Sequence, residues 1–154
     1  MERVEHNIQI SATPAEVYNV LTDTSLIIKI FRDAVSVVAD PPGRSVVGQK
    51  YRMVGRAGRR KIDILLQVTE LVPDSKVVTT QLPGGIFKSF RQCSTLKPWG
   101  TGTECLTTFE YELSLGYIGK VLNAVLVERL IRENLESYSE AVKELAELLP
   151  MPKA

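Results

Sequence analysis

The sequence predicts an α+β domain. A curved antiparallel sheet of six to seven strands wraps around one long C-terminal helix, with two short helices inserted after the first strand. Three observations point there. From about Ile118 to Leu149 no proline interrupts a segment with Leu122, Val125, Leu126, Leu130, Ile131, Leu135, Tyr138, Val142, Leu145 and Leu149 near helical spacing. The middle of the chain is a series of runs that alternate apolar and polar residues, each ending in turn residues. The early stretch "TPAEVYNVLTD" carries every signal of a helix in about two turns. An isolated helix shorter than roughly 12 residues is marginal in water, so this one needs a larger surface to lean on.

In chain order, about Val4 to Ile10 alternates as the first strand. Thr13 then reads as an N-cap, Pro14 as the first helical residue and Glu16 as the partner in a capping box, with Val17, Val20 and Leu21 on one face. "SLIIKIF" forms a second helical piece, capped by Asp23 or Thr24. "AVSVVA" and "QKYRMVG" are strands joined by "PPGRSVVG", where Gly48 marks a turn exit or bulge. "RAGRR" makes a hairpin into "KIDILLQVTEL", with Ile62, Ile64, Leu66 and Val68 on one face. "VPDSK" is a turn by its proline, aspartate and serine, "VVTTQL" a strand, "PGG" a turn and "FKSFRQCSTLK" a strand. "PWGTGT" then turns the chain into "ECLTTFEYEL", whose glutamates point to water. A terminal helix of roughly 45 Å, at about 1.5 Å per residue, spans such a sheet and covers its apolar face.

With 154 residues and 44% hydrophobic content, residues 1–154 fit one globular domain with a real core. A formal net charge of +1 supplies no overall field for nucleic acid or an anionic membrane. Charges follow Met1 at once and no apolar run approaches a membrane span, so a cytoplasmic location is expected. The two cysteines, Cys93 and Cys105, fall on adjacent strands and read as buried free thiols, with a disulfide as the alternative. The single histidine, His6, reads as an exposed structural residue at a polar position of the first strand. No metal or cofactor is implied.

The order of elements, carried by "HNIQISATPAEVYNVLTD", "PPGRSVVGQKY", "VTELVPDSKVV", "GTGTECLTTFEYEL" and the terminal helix, resembles the helix-grip fold of the START-like, birch-allergen-like superfamily. Within it the chain is similar to the polyketide cyclase/dehydrase and lipid-transport (SRPBCC) type. The stretch "GGIFKSFRQCSTLKPWGTGTECLTTFEYEL" also resembles an accessory, non-catalytic component of carbon monoxide dehydrogenase. The resemblance implies a cavity between sheet and long helix that binds or carries a hydrophobic small molecule, a lipid, polyketide or isoprenoid-like compound. It leaves two alternatives: a cyclase/dehydrase-like enzyme, or an interaction module.

Strand parity places Tyr51, Met53, Ile62, Ile64, Leu66, Val78, Thr80, Phe90, Gln92, Ser94, Thr107, Phe109 and Tyr111 on the sheet wall of that cavity. The helix contributes Leu122, Val125, Leu126 and Arg129. Each also reads as plain core packing or as closing a polar gap. Tyr111, Gln92 and Tyr51 stand out, because a polar tip on an apolar wall orients a ligand. With one histidine and no paired inward carboxylates, no hydrolytic triad or acid pair can be assembled, and no catalytic residue is assigned. In a cyclase, Tyr111 and Arg129 would assist. Arg56, Arg59 and Arg60 crowd one hairpin and suit a protein or membrane contact. Nucleic acid is not expected, because no aromatics interleave them. "LPGGIFKSF" reads as a gate or contact loop, or as a hairpin whose Ile86 and Phe87 tuck into the core. The oligomeric state and the ligand's identity are not written in the sequence.

Overall fold

A computed structural model of the chain describes residues 2–31, 34–57, 60–83, 87–113 and 124–148. β1 (Glu2–Ile10) leads to α1 (Pro14–Leu21), a 3-10 turn (Thr24–Leu26) and α2 (Ile27–Ile30). Six strands follow: β2 (Ala34–Asp40), β3 (Lys50–Ala57), β4 (Arg60–Val72), β5 (Lys76–Gln81), β6 (Phe87–Trp99) and β7 (Gly102–Leu113). α3 (Ala124–Leu148) closes the order. The strands form one seven-stranded antiparallel sheet in the order β1-β7-β6-β5-β4-β3-β2. The expected α+β, helix-grip architecture is therefore what the chain adopts.

The helix starts are built as their sequences dictate. Thr13 Oγ1 accepts from the Glu16 backbone N–H at 3.2 Å while Glu16 Oε1 accepts from the Thr13 N–H at 3.1 Å, a reciprocal capping box. Asp23 caps the 3-10 turn by accepting from the Ser25 N–H at 3.0 Å. α1 buries Val17, Val20 and Leu21 against α3 and the adjoining strands, which is the support that so short a helix needs.

α3 turns Leu135, Tyr138, Ala141, Val142 and Ala146 into the core, while Leu130, on the expected apolar stripe, is exposed. The far half of α3 is clasped to β1 by polar contacts. The Ser11 N–H donates to Glu147 Oε1 at 2.9 Å, and Lys143 Nζ donates to the Gln9 carbonyl at 3.0 Å and to Glu147 Oε1 at 2.8 Å. On the other face of the sheet, Arg91–Glu110 and Lys88–Glu112 pair across β6 and β7, with exposed geometry that adds little stability.

Two sequence expectations fail, one on sidedness and one on length. Val4, His6, Ile8 and Ile10 share the face of β1 that packs toward α3, so His6 is half-buried there, and its Nδ1 is buried without a partner among the described residues. The two cysteines are free, as expected, with Cys105 buried and Cys93 half-buried; Cys93 lies opposite Thr108 while Leu96 lies opposite Cys105, so the two point to opposite faces of the sheet. The β6–β7 connection is shorter than "PWGTGT", since the strands run to Trp99 and from Gly102, leaving Gly100 and Thr101 as the turn. Gly100 has φ +59, the positive value a two-residue hairpin needs.

Candidate functional site

Between β3–β6, α3 and the α1–α2 corner the core leaves a cavity of about 20 Å³. It is lined by Leu21, Ile27, Ile30, Phe31, Ser45, Tyr51, Val68, Val77, Thr79, Gln92 and Tyr138, and that volume suffices for one water-sized group. The walls are aliphatic and aromatic, yet a compact set of polar tips meets inside: the Tyr51 and Tyr138 phenols, the Thr79 hydroxyl and the Gln92 amide. All four residues are buried.

The register brings them together. Tyr51 sits opposite Leu66, Val68 opposite Thr79, and Thr79 opposite Gln92, so adjacent strands aim the row at one point under Tyr138. Tyr138 is held from both sides by rings, with its centroid 5.2 Å from Phe31 and 6.3 Å from Phe109. Phe109, Phe90, Phe87 and Tyr111 continue that row at 5.2, 5.1 and 5.9 Å, filling space between sheet and helix with the protein's own rings.

The electrostatics keep the site neutral. Burial pushes the Tyr51 phenol from its usual 10.0 up to about 12, with the nearby Thr79 hydroxyl pulling weakly the other way. The two do not meet full hydrogen-bond geometry, and Thr79 Oγ1 is left buried with no partner among the described residues. Burial raises the Tyr138 phenol further, reinforced by Cys105 and Tyr51 and opposed by Ser94 and Gln92. Ser94 itself is tied to Thr107 by a buried hydroxyl pair at 2.9 Å. Burial also lifts the Cys105 thiol to about 11, which keeps it protonated and unreactive.

Because both tyrosines bind their protons more tightly folded than unfolded, their contribution to stability is present below about pH 10 and is lost as pH rises, through about 12 for Tyr51 and higher still for Tyr138. Of the five tyrosines, at least two should therefore stay silent in a phenolate absorbance titration until the fold opens, then appear in one steep step. Smooth titration of all five near pH 10 with native circular dichroism would refute the buried assignment.

Of the sequence-predicted residues, Tyr51 and Gln92 line the cavity. Met53, Ile64, Leu66, Phe90 and Phe109 pack in the adjoining core, and Ser94 and Thr107 bond to each other within it. Tyr111 is buried at the other end of the aromatic row, near Glu2, Glu128 and Arg132. Val78 and Thr80 lie on the face of β5 away from the cavity, where Val78 is nonetheless fully buried. A bulge between Val68 and Glu70 sets the register so that Val77, Thr79 and Gln81 take the cavity face instead, and Thr80 meets Thr69 on the other. Arg129 is exposed, 3.5 Å from Glu133 in an i,i+4 pair, and does not reach the cavity. Leu122 lies outside the described residues, as do the side chains of Ile62, Val125 and Leu126. Gly84, Gly85 and Ile86 of the expected gate and Arg59 also lie outside them, as does the Arg60 side chain, while Arg56 is exposed and Phe87 is half-buried.

Sequence reasoning misses Thr79 and Tyr138 as site residues. Tyr138 is visible there only as one more apolar position on the helix. Among the described residues no cluster of histidine, cysteine or acidic side chains could hold a metal, and no helix is long and apolar enough to cross a membrane.

Residues 1–148 match the family described as polyketide cyclase/dehydrase and lipid transport. No curated protein matches the sequence. Solved structures do. A protein of Thermus thermophilus, TTHA0849, is 25% identical with a TM-score of 0.80, over 94% of this chain and 97% of its own. The Zhui aromatase/cyclase from Streptomyces sp. R1128 is 19% identical with a TM-score of 0.79, over 95% and 93%. A START superfamily protein from Mycobacterium smegmatis is 15% identical with a TM-score of 0.76, over 96% and 98%.

Proposed function

The chain belongs to the polyketide cyclase/dehydrase and lipid transport family, and on that premise we propose that it binds and carries a hydrophobic small molecule, of lipid, polyketide or isoprenoid kind, between the sheet and α3. The observation that carries this reading is the row of polar tips, Tyr51, Thr79, Gln92 and Tyr138, sunk in apolar walls around a cavity. Pockets for such ligands take this form, with an apolar lining and a few placed polar groups.

A cavity of about 20 Å³ holds only the polar end of a ligand, so the apolar body enters by displacing wall residues. The seam that such entry must part lies between the α1–α2 corner and the β2–β3 loop. α2 has four residues, and the loop is attached to the corner by polar contacts: the Ser45 N–H to the Thr22 carbonyl at 2.8 Å, Arg44 to Thr22 Oγ1 at 3.1 Å, and Thr24 Oγ1 to the Gly43 carbonyl. Ile27 and Ser45, one from each side of that seam, both line the cavity. A cytoplasmic setting belongs to the same reading and suits a protein whose two cysteines are free.

The test is saturable binding of a neutral apolar fluorophore, 1-N-phenylnaphthylamine, together with native mass spectrometry of the purified protein. One site is expected, and Val77→Phe, which fills the cavity from β5, should weaken it by about tenfold or more while the circular dichroism stays native. Absence of saturable binding and of any extractable non-covalent mass would overturn the reading. A cyclase-like activity is favoured only by the two protonated phenols, which are proton donors for a carbonyl. It requires that Tyr138→Phe abolish turnover while binding persists.

A further inference from the structure

We infer that the ligand of this cavity is an uncharged apolar molecule ending in a single small carbonyl or hydroxyl group, and that the site rejects the carboxylate and the ammonium of the same carbon skeleton. This rests on the binding reading above and narrows it to a chemical class.

Every polar group on the cavity wall is neutral: two phenols, two hydroxyls and one amide. No lysine, arginine, histidine, aspartate or glutamate lines it among the described residues. A carboxylate brought here would leave its hydration with no countercharge, and an ammonium would meet no anion. Isolated charges in such surroundings cost far more than a dipole does. The phenols do not supply the missing charge, since burial holds both in the protonated form.

What the wall offers fits a neutral oxygen. Thr79 Oγ1 is buried and has no partner among the described residues, an unmade hydrogen bond at the cavity surface. The Tyr51 hydroxyl beside it is a donor, so a carbonyl oxygen or a hydroxyl placed between them satisfies both. Gln92 adds a donor and an acceptor on the same wall. The space of about 20 Å³ admits one such group without any movement of the wall. The same lining includes Leu21, Ile27, Ile30, Val68 and Val77, side chains that suit contact with a hydrocarbon body.

The experiment is competition against 1-N-phenylnaphthylamine at pH 8 by four compounds sharing one ten-carbon chain: decanol, 2-decanone, decanoate and decylamine. The alcohol and the ketone should displace the probe, with decanoate and decylamine about tenfold or more weaker. Thr79→Val, which keeps the shape and removes the hydroxyl, should weaken the alcohol and ketone about tenfold more than it weakens the probe. Decanoate or decylamine binding as tightly as decanol overturns the neutral-ligand inference and leaves the carrier reading intact. Unchanged affinity of decanol and 2-decanone for Thr79→Val overturns the placement of the oxygen. If neither the probe nor any of the four compounds binds, the carrier reading fails and this inference falls with it.

Discussion

Leu135→Ala should destabilise the protein by about 3 kcal/mol, within the 2–5 kcal/mol seen for large-to-small changes in tight cores. Leu135 has no exposed surface, and it packs in one cluster with Val4 of β1 and Phe109 of β7, bordered by Phe90 and Ile131. Both ends of the fold, β1 on one side and β7 with α3 on the other, meet on this one side chain, so none of the three can relax alone to fill the space its truncation leaves. The expected readout is a lower urea midpoint with an unchanged slope, and a melting temperature lower by roughly 6–12 °C. Leu135→Met, of similar volume, should cost less than about 1.5 kcal/mol. A loss below about 1 kcal/mol for the alanine variant would mean that the site collapses easily and that α3 is not gripped there.

Gly102→Ala should cost about 2 kcal/mol or more, through a different mechanism. A Cβ built on Gly102 would stand 2.3 Å from the Ile10 carbonyl oxygen and 3.3 Å from its carbon, both backbone atoms with no rotamer to escape into. β1 must move away from β7, and the strain falls next to the Ile10–Thr103 pair and the buried bond from Thr103 Oγ1 to the Ala12 carbonyl at 2.7 Å. Amide exchange should therefore quicken at the end of β1 ahead of the rest of the sheet. Gly43→Ala is the control: nothing lies within 4 Å of its added Cβ, and its φ of +100 alone gives a smaller penalty, on the order of 1 kcal/mol. Equal losses for the two variants would show that crowding at Gly102 is not the cause.

The architecture is legible in the sequence because it depends on patterns that are long and redundant. A segment as strongly amphipathic as α3, a capping box at Thr13 and Glu16, and strands such as β4 and β7 with one apolar face each specify their own state. The site depends on single residues, and there the sequence under-determines the answer. In "KVVTTQ" both faces of β5 carry one valine and one threonine, so alternation cannot say which is inside. The choice is made by a bulge in β4 that no propensity announces. His6 is the opposite case. Its even spacing with Val4, Ile8 and Ile10 does mark the inner face, and its polarity masks that signal. Helical period counted from Leu122, Val125 and Leu126 puts Arg129 toward the cavity, but the face that α3 buries is that of Leu135, Tyr138 and Val142, which leaves Arg129 exposed beside Glu133. Tyr138 is apolar core, as its spacing says, but its value to the site is the hydroxyl, which only the register of three strands brings opposite Thr79 and Gln92.

The pairing of β1 with β7, from Glu2 opposite Tyr111 to Ile10 opposite Thr103, sets the order in which the protein can be made. Of the seven strands of the sheet, β1 leaves the ribosome before the others and has no partner until β7 emerges, and no cover until α3 follows it. Completion of this fold thus waits until α3 has been made, and the most non-local contacts close last. During that wait an amphipathic N-terminal strand is carried unpaired, and its alternating charges, Glu2, Arg3 and Glu5 among them, keep it from pairing with a neighbouring nascent chain.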